Sequence, residues 1–262
     1  MQLIDFHTHV YPDAIAHKAS QSVRDFYGIG DAYYDGTVSD LLQSMEATGT
    51  QRCVILPVGM KPETVRRVNE FAAEKMRRHP EFTSFGTVHA AMEHIEEEVE
   101  HIQELGLRGI KLHPDSQMFP ADDARLFPMY DRIQGKLPVM IHMGDHRHHY
   151  SHPERLRRIA DAFPRLQIIA AHFGGYSTYQ MSCQLLKDTQ CVLDISSSLM
   201  FMPEGDPEKY IRTYGAERIL YGSDFPFWDP AVELQRFLKL KLTDDEFEQI
   251  ASKTALRILG EG

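Results

Sequence analysis

Positive charge is what this chain has least of for its size. Its 28 lysines and arginines face 38 aspartates and glutamates, a formal net charge of -10. Such a surface does not draw nucleic acid or anionic membrane toward it by its field alone. Cysteine is scarce too. Cys53, Cys183 and Cys191 are odd in number, scattered and without CxxC spacing, which excludes a disulfide scaffold and a zinc finger and predicts a reducing, cytoplasmic setting. No apolar run approaches the ~20 residues of a membrane span. A strand-like run begins almost at Met1, so no signal peptide is expected. A glycine-rich phosphate loop after that first run is also missing. His7-Thr8-His9 stands in its place, which argues against an open dinucleotide-binding sheet.

Short apolar runs alternate with amphipathic ones along all 262 residues. The strand-like runs are Leu3–Phe6, Cys53–Val58, Phe82–Val88, Leu107–Leu112, Pro138–Ile141, Leu166–Ala171, Cys191–Ile195 and Ile219–Tyr221. Most are apolar on both faces, as strands of a helix-covered parallel sheet are. Helical stretches between them carry end signals. Thr37 and Asp40 form a capping-box pattern, with Gly49 past the far end. Val65, Val68, Phe71 and Met76 mark the apolar face of one helix and Ile95, Val99 and Ile102 that of another. Thr243 to Glu246 opens the last, which stops before Gly260. Eight strands each followed by a helix predict a closed α/β barrel, the (β/α)8 TIM barrel, with residues 1–262 as a single domain. The stretch from Ala14 to Asp31 makes a long first connection, expected as a lid or rim over the mouth.

In such barrels chemistry sits at the C-terminal strand ends. Reading those ends yields His7 and His9 on the first strand, Lys111 and His113 on the fourth, and His142 on the fifth. His172 ends the sixth, Asp194 and Ser196 the seventh, and Asp224 the eighth. Strand alternation predicts Asp5, His7 and His9 on one side. Two imidazoles at one strand end can grip a divalent cation.

The motifs IDFHTHV, GIKLHP, IHMGD, AHFGG and YGSDFP span almost the whole chain. In that order they resemble the amidohydrolase superfamily, specifically its amidohydrolase 2 branch of metal-dependent TIM-barrel hydrolases, with the related non-oxidative decarboxylases. The resemblance implies that His7, His9, His142 and Asp224 bind one divalent metal, zinc first, with manganese or iron(II) as alternatives. It also implies that His172 contacts the attacking water or the substrate. The chemistry stands without the family. Neutral imidazoles leave zinc cationic, so the pKa of a water on it falls from about 15.7 toward about 7. Asp224 can take the proton and return it to a leaving amine or alkoxide.

Other residues have two readings. Lys111 is either a carboxylated lysine bridging two metals or a buried lysine paired with Asp5 or Asp194, and the ion pair is favoured. His113 touches substrate or a second metal, or is a hydrogen-bonded rim histidine. His146, His148 and His149 lie in a polar loop with Asp145 and Arg147. Ser196 is a candidate hydrogen bond to substrate. Tyr11, Met60, Lys61, Phe227 and Trp228 should line the mouth, while Met200, Phe201 and Met202 either cap the pocket or meet a partner subunit of a homo-oligomer.

The leading function is metal-dependent hydrolysis of an amide, ester or lactone in a small molecule. The second is metal-dependent decarboxylation of an aromatic or unsaturated acid, for which Arg66, Arg67 and Arg147 are the candidate carboxylate anchors. A TatD-like nuclease is disfavoured, because Lys111 and His113 replace a metal-binding glutamate and the chain is acidic. A scaffold barrel would have lost ligands, and none is missing.

Overall fold

The computed structural model describes residues 2–30 and 34–261, so Asp31, the end of the expected lid, lies outside the described residues. Among the described residues nine strand segments follow in order: β1 Ile4–Thr8, β2 Arg52–Ile55, β3 Phe82–Ser84, β4 Gly86–Thr87, β5 Ile110–Leu112, β6 Val139–Ile141, β7 Ile168–Ala170, β8 Val192–Asp194 and β9 Ile219–Leu220. Every neighbouring pair is parallel, in the orders β1-β2-β3 and β4-β5-β6-β7-β8-β9. β3 and β4 are two halves of one barrel strand interrupted at Phe85, so the expected eight strands are present.

The sheet closes on itself. Phe6 N donates to Tyr221 O at 2.9 Å, Asp224 N to His7 O at 2.9 Å and His9 N to Phe225 O at 2.8 Å, with a parallel bridge between Thr8 and Phe225. Closure leaves no free edge.

The barrel interior is filled by Ile4, Phe6, Val54, Leu56, Phe85, Met140, Ile169, Ala171, Val192 and Leu220. Burying each large apolar side chain contributes about 1.5–3 kcal/mol. Phe85 interrupts its strand with its ring inside, edge-on to Phe6 at 5.8 Å. Room for it comes from Gly109, where a Cβ would stand 2.6 Å from the Phe85 ring. Ala255 and Leu259 of the final helix join the same cluster. Leu259 O accepts from Arg108, just ahead of β5, so this helix stoppers the end opposite the histidines.

Outside lie the helices. Thr37 and Asp40 form the expected capping box, and Gly49 takes the left-handed conformation at the far end. Thr243 and Glu246 repeat the box at the last helical stretch, which runs through a π segment, Gln249–Lys253, to Leu259. Helix Ile95–Glu104 buries Ile95, Val99 and Ile102 as expected. Helix Val65–Arg78 differs: it buries Val65, Asn69, Ala72 and Ala73, not Val68, Phe71 and Met76. Asn69 turns inward because the broken third strand needs it. Its amide accepts from Thr87 N at 2.8 Å and donates to Thr87 O at 3.0 Å and to Glu98 at 2.8 Å.

Strand alternation also fails at one point in β1. The register slips between Asp5 and Thr8. Ile4 and Phe6 face the interior, and the slip turns His7 inward as well, leaving Asp5 on the outer face, where it accepts from His7 N at 3.1 Å and Ser223 N at 3.0 Å. Burial there lifts its carboxyl to about 7. Among the described residues no helix is long and apolar enough to cross a membrane, and all three cysteines are free and buried.

Candidate metal centre

The strand ends hold their side chains under backbone strain. Among the described residues five non-glycine positions have positive φ, and His172 (57°), Phe173 (59°), Ser197 (50°) and Asp224 (61°) are four of them. Each costs on the order of 1–3 kcal/mol and persists only where its surroundings enforce it. Gly222 is the complementary case of space. A Cβ there would stand 2.8 Å from the Cβ of His7.

His7, His9 and Asp224 converge. His9 Nε2 is 3.2 Å and His7 Nε2 3.5 Å from Asp224 Oδ1. The other ring nitrogens fix the protons. His9 Nδ1 donates to Leu56 O at 2.7 Å, and a carbonyl oxygen can only accept. His7 Nδ1 lies 3.1 Å from Asp194 Oδ2 and 3.0 Å from Ser196 Oγ. In their neutral forms both histidines therefore aim an Nε2 lone pair toward a carboxylate oxygen. Burial, with Lys111 adding to it, pushes His7 well below the usual histidine value. Burial alone would raise Asp224, but the pull of His7, His9 and His172 in their protonated forms outweighs it and holds the carboxyl well below the usual range. Three lone-pair donors pointed at each other, with outer partners setting their tautomers, are what a divalent ion requires. The residues fit a metal.

His142 stands apart from that trio. Among the described residues, the donor groups whose ligand atoms lie within 4.8 Å of one another are His7–His9–Asp224, His7–His172–Asp194 and His113–Asp115–His142. His142 stacks on His113, centroids 3.8 Å apart, and its Nε2 meets the hydroxyl of Tyr27 at 2.9 Å. The same hydroxyl is 2.9 Å from His113 Nε2. Proton positions follow from the ends of this chain. Ser116 N donates to His113 Nδ1 at 3.3 Å, so His113 donates from Nε2 to Tyr27, and Tyr27 donates to His142. His142 Nδ1 then donates to His172 Nε2 at 2.9 Å, and His172 Nδ1 to Ser196 O at 3.1 Å. Both ring nitrogens of His172 are thus engaged within the protein.

The expected ion pair of Lys111 is not formed: among the described residues no carboxylate lies within 4 Å of it, and Nζ instead meets His7 Nε2 at 3.3 Å. Asp5 is on the far face of β1, and Asp194 is taken by His7 and Ser196. Burial brings the Lys111 ammonium down to about 8, with Asp194 and Asp224 opposing.

The mouth is roofed by helix Ala16–Tyr27, two residues shorter at its start than expected. Arg147 latches it, donating to Asp145 at 2.7 Å and to Phe26 O at 2.5 Å and lying 4.8 Å and 5.3 Å from the Phe26 and Tyr27 ring centres. His148 stacks on Phe26 at 5.7 Å. His146 and His149 are exposed. Phe227 packs on His9 at 5.5 Å, Trp228 donates to Ser197 at 2.7 Å, and Tyr11 is packed beside Gly36 and Pro226. Met60 and Phe201 are half-exposed.

Two residues in the roof carry no signature in the sequence. Tyr27 belongs to no motif. Arg24, three residues earlier on the same helical face, is 3% exposed and donates to Tyr34 O at 2.8 Å, with no carboxylate within 4 Å among the described residues. Amphipathic spacing over residues 16–27 was the one available signal.

Three comparisons bear on this geometry. A family model described as amidohydrolase matches residues 4–260. No curated protein matches the chain. Among solved structures, an uncharacterized TIM-barrel protein from Bordetella bronchiseptica superposes with a TM-score of 0.83 at 21% identity, covering 100% of this chain and 99% of that one. A dihydroxybenzoic acid decarboxylase from Polaromonas sp. JS666, with bound manganese and 2-nitroresorcinol, gives 0.76 at 17% identity, over 99% and 97%. A probable 2-pyrone-4,6-dicarboxylic acid hydrolase from Acinetobacter baumannii, with citric acid bound, gives 0.70 at 15%, over 99% and 100%.

Proposed function

Because the chain belongs to the amidohydrolase family, we propose that it is a metal-dependent hydrolase acting on an amide, ester or lactone of a small molecule. The observation that carries this reading is the convergence of His7 Nε2, His9 Nε2 and Asp224 Oδ1 with both outer imidazole nitrogens already committed. Those three residues are the proposed ligands. His142 joins them by giving up its bond to Tyr27. Bound there, a divalent cation, zinc first and manganese or iron(II) as alternatives, would supply Lewis acidity and make hydroxide available near neutral pH.

The protein's own groups do the rest. Asp224 takes a proton on Oδ2, which keeps a second lone pair beside the bond from Ser197, since Oδ1 is turned to the cation. His172 acts on the reactants through Nε2 once His142 releases it. The roof helix excludes bulk water from the mouth, which strengthens each of these interactions. Cytoplasmic residence and a small-molecule substrate are part of this proposal, as is residues 1–262 acting as one domain.

Arg24 favours a second reading, decarboxylation of an aromatic or unsaturated acid. A buried guanidinium calls for an anion, and a substrate carboxylate is one. The arginines named from the sequence serve elsewhere: Arg147 holds Asp145, Arg66 reaches Glu98 at 3.4 Å, and Arg67 is exposed. Purified protein should be analysed for metal, then offered a panel of lactones, amides, esters and hydroxybenzoates with and without chelator. Chelator-sensitive hydrolysis supports the first reading. CO2 release without hydrolysis transfers support to the second, and metal-free protein that turns over the same substrates at full rate sinks both.

A further inference from the structure

Asp224 has two carboxylate oxygens, and only one faces the imidazoles. The other is held from behind by two residues that no motif singles out together. Trp228 Nε1 lies 2.7 Å from Ser197 Oγ. An indole N–H can only donate, so the serine oxygen accepts there, and the serine's own proton is left for its other neighbour, Asp224 Oδ2. We propose that Ser197, its hydroxyl aimed by Trp228, is the positioning residue that makes Asp224 present Oδ1 to a cation.

Three observations converge on this. The direction of the relay is forced, because its first member has no acceptor. Ser197 and Asp224 are 7% and 8% exposed, so the bond between them is shielded from water. Both also hold left-handed backbone conformations, φ 50° and 61°, a cost sustained only where the surrounding contacts over-determine the geometry. Without the serine proton, Oδ2 would be a buried anionic oxygen with no donor, and the carboxylate would turn to find one. Oδ1 would then leave its place 3.2 Å from His9 Nε2. Partners of this kind behind a metal ligand set affinity by about 10–100-fold.

The relay has an optical reporter, because Trp228 is the single tryptophan of the chain. Indole emission therefore reads this site and nothing else. The inference rests on the metal reading above, and the test separates the two. Mn2+ and Zn2+ are titrated into chelator-stripped full-length protein, followed by calorimetry and by Trp228 emission, for wild type, Ser197→Ala, Ser197→Gly and His9→Ala. Glycine is the informative variant: it accepts φ 50° without strain, so it removes the hydroxyl while relieving the backbone.

Wild type should bind one cation with a change in emission, and His9→Ala should abolish both. Both serine variants should bind about 10–100-fold more weakly, with the emission response lost and the melting temperature of Ser197→Gly no lower than wild type. If either serine variant binds within about twofold of wild type and keeps the emission change, the positioning role is overturned while the metal reading stands. If wild type itself binds no cation, or His9→Ala binds undiminished, the metal reading fails and this inference falls with it.

Discussion

The hydroxyl of Tyr27 sits 2.9 Å from Nε2 of His142, the nitrogen through which, in the function proposed above, that histidine joins the ligands. One lone pair cannot serve both. Tyr27→Phe should therefore tighten divalent-cation binding by a few-fold, since a net hydrogen bond is worth about 0.5–1.5 kcal/mol. The metal-free protein should lose stability by a similar amount. Weaker binding in calorimetry of Tyr27→Phe would contradict the competition.

His9 makes one bond outward, to Leu56 O, and one contact inward, to Asp224. Its replacement by alanine should leave the fold intact by circular dichroism. Metal content should fall to background and catalytic turnover with it. Full metal occupancy in His9→Ala would remove the ion from this place in the barrel.

Two glycines predict two different failures. Gly222→Ala brings a methyl to within 2.8 Å of the His7 Cβ, and Gly109→Ala one to within 2.6 Å of the Phe85 ring. Both should cost about 1–3 kcal/mol in urea denaturation, as overpacked sites do. Only Gly222→Ala should also lower metal affinity, because only there does the displaced group carry a ligand atom. Equal effects on metal binding would refute the distinction.

Arg24→Met should raise KM for any carboxylate-bearing substrate by about 10–100-fold, the value of a charged hydrogen bond of about 1.5–3 kcal/mol. Substrates lacking the carboxylate should be unaffected. The kcat to KM split on a matched acid and amide pair measures this, and an unchanged KM for the acid would release Arg24 from the pocket.

Glu233 offers a pH test away from the centre. It is 2% exposed, and burial lifts its carboxyl to about 7 although Arg236 pairs with it. The folded value exceeds the unfolded one near 4.5. Its contribution is thus fully present below about 4.5 and is lost as pH rises through about 7. Glu233→Gln should accordingly gain stability relative to wild type from about pH 5 to about pH 8, by more than about 1 kcal/mol, since a tenfold change in proton affinity on folding is worth about 1.4 kcal/mol. Parallel stability curves would show that Arg236 compensates in full.

Much of the barrel was readable because six of its eight strands end in a residue with chemistry. His7, His142, His172 and Asp224 mark strand ends that apolar periodicity alone leaves vague. The capping boxes at Thr37 and Thr243 were readable for the same local reason. What stayed hidden depends on contacts between distant segments. Asp5 leaves the face of His7 because of a register slip that strand alternation cannot foresee. Asn69 replaces Val68 on the buried face because a strand 18 residues later is broken and needs its amide. Tyr27 reaches the mouth, and Arg24 is buried, on a helix whose placement no motif encodes. The neighbour of Lys111 follows from the side that Asp5 takes, so the same slip concealed it.

The helix that ends in Leu259 stoppers the barrel floor, and the packed interior above it leaves no passage through. Among the described residues the doorway to the strand ends is therefore the mouth under helix Ala16–Tyr27. Arriving reactant and departing product must share it, so each product molecule blocks the next turnover until it has gone. Inhibition by product should be competitive with substrate, and the pace of the cycle is then governed by how often that doorway opens.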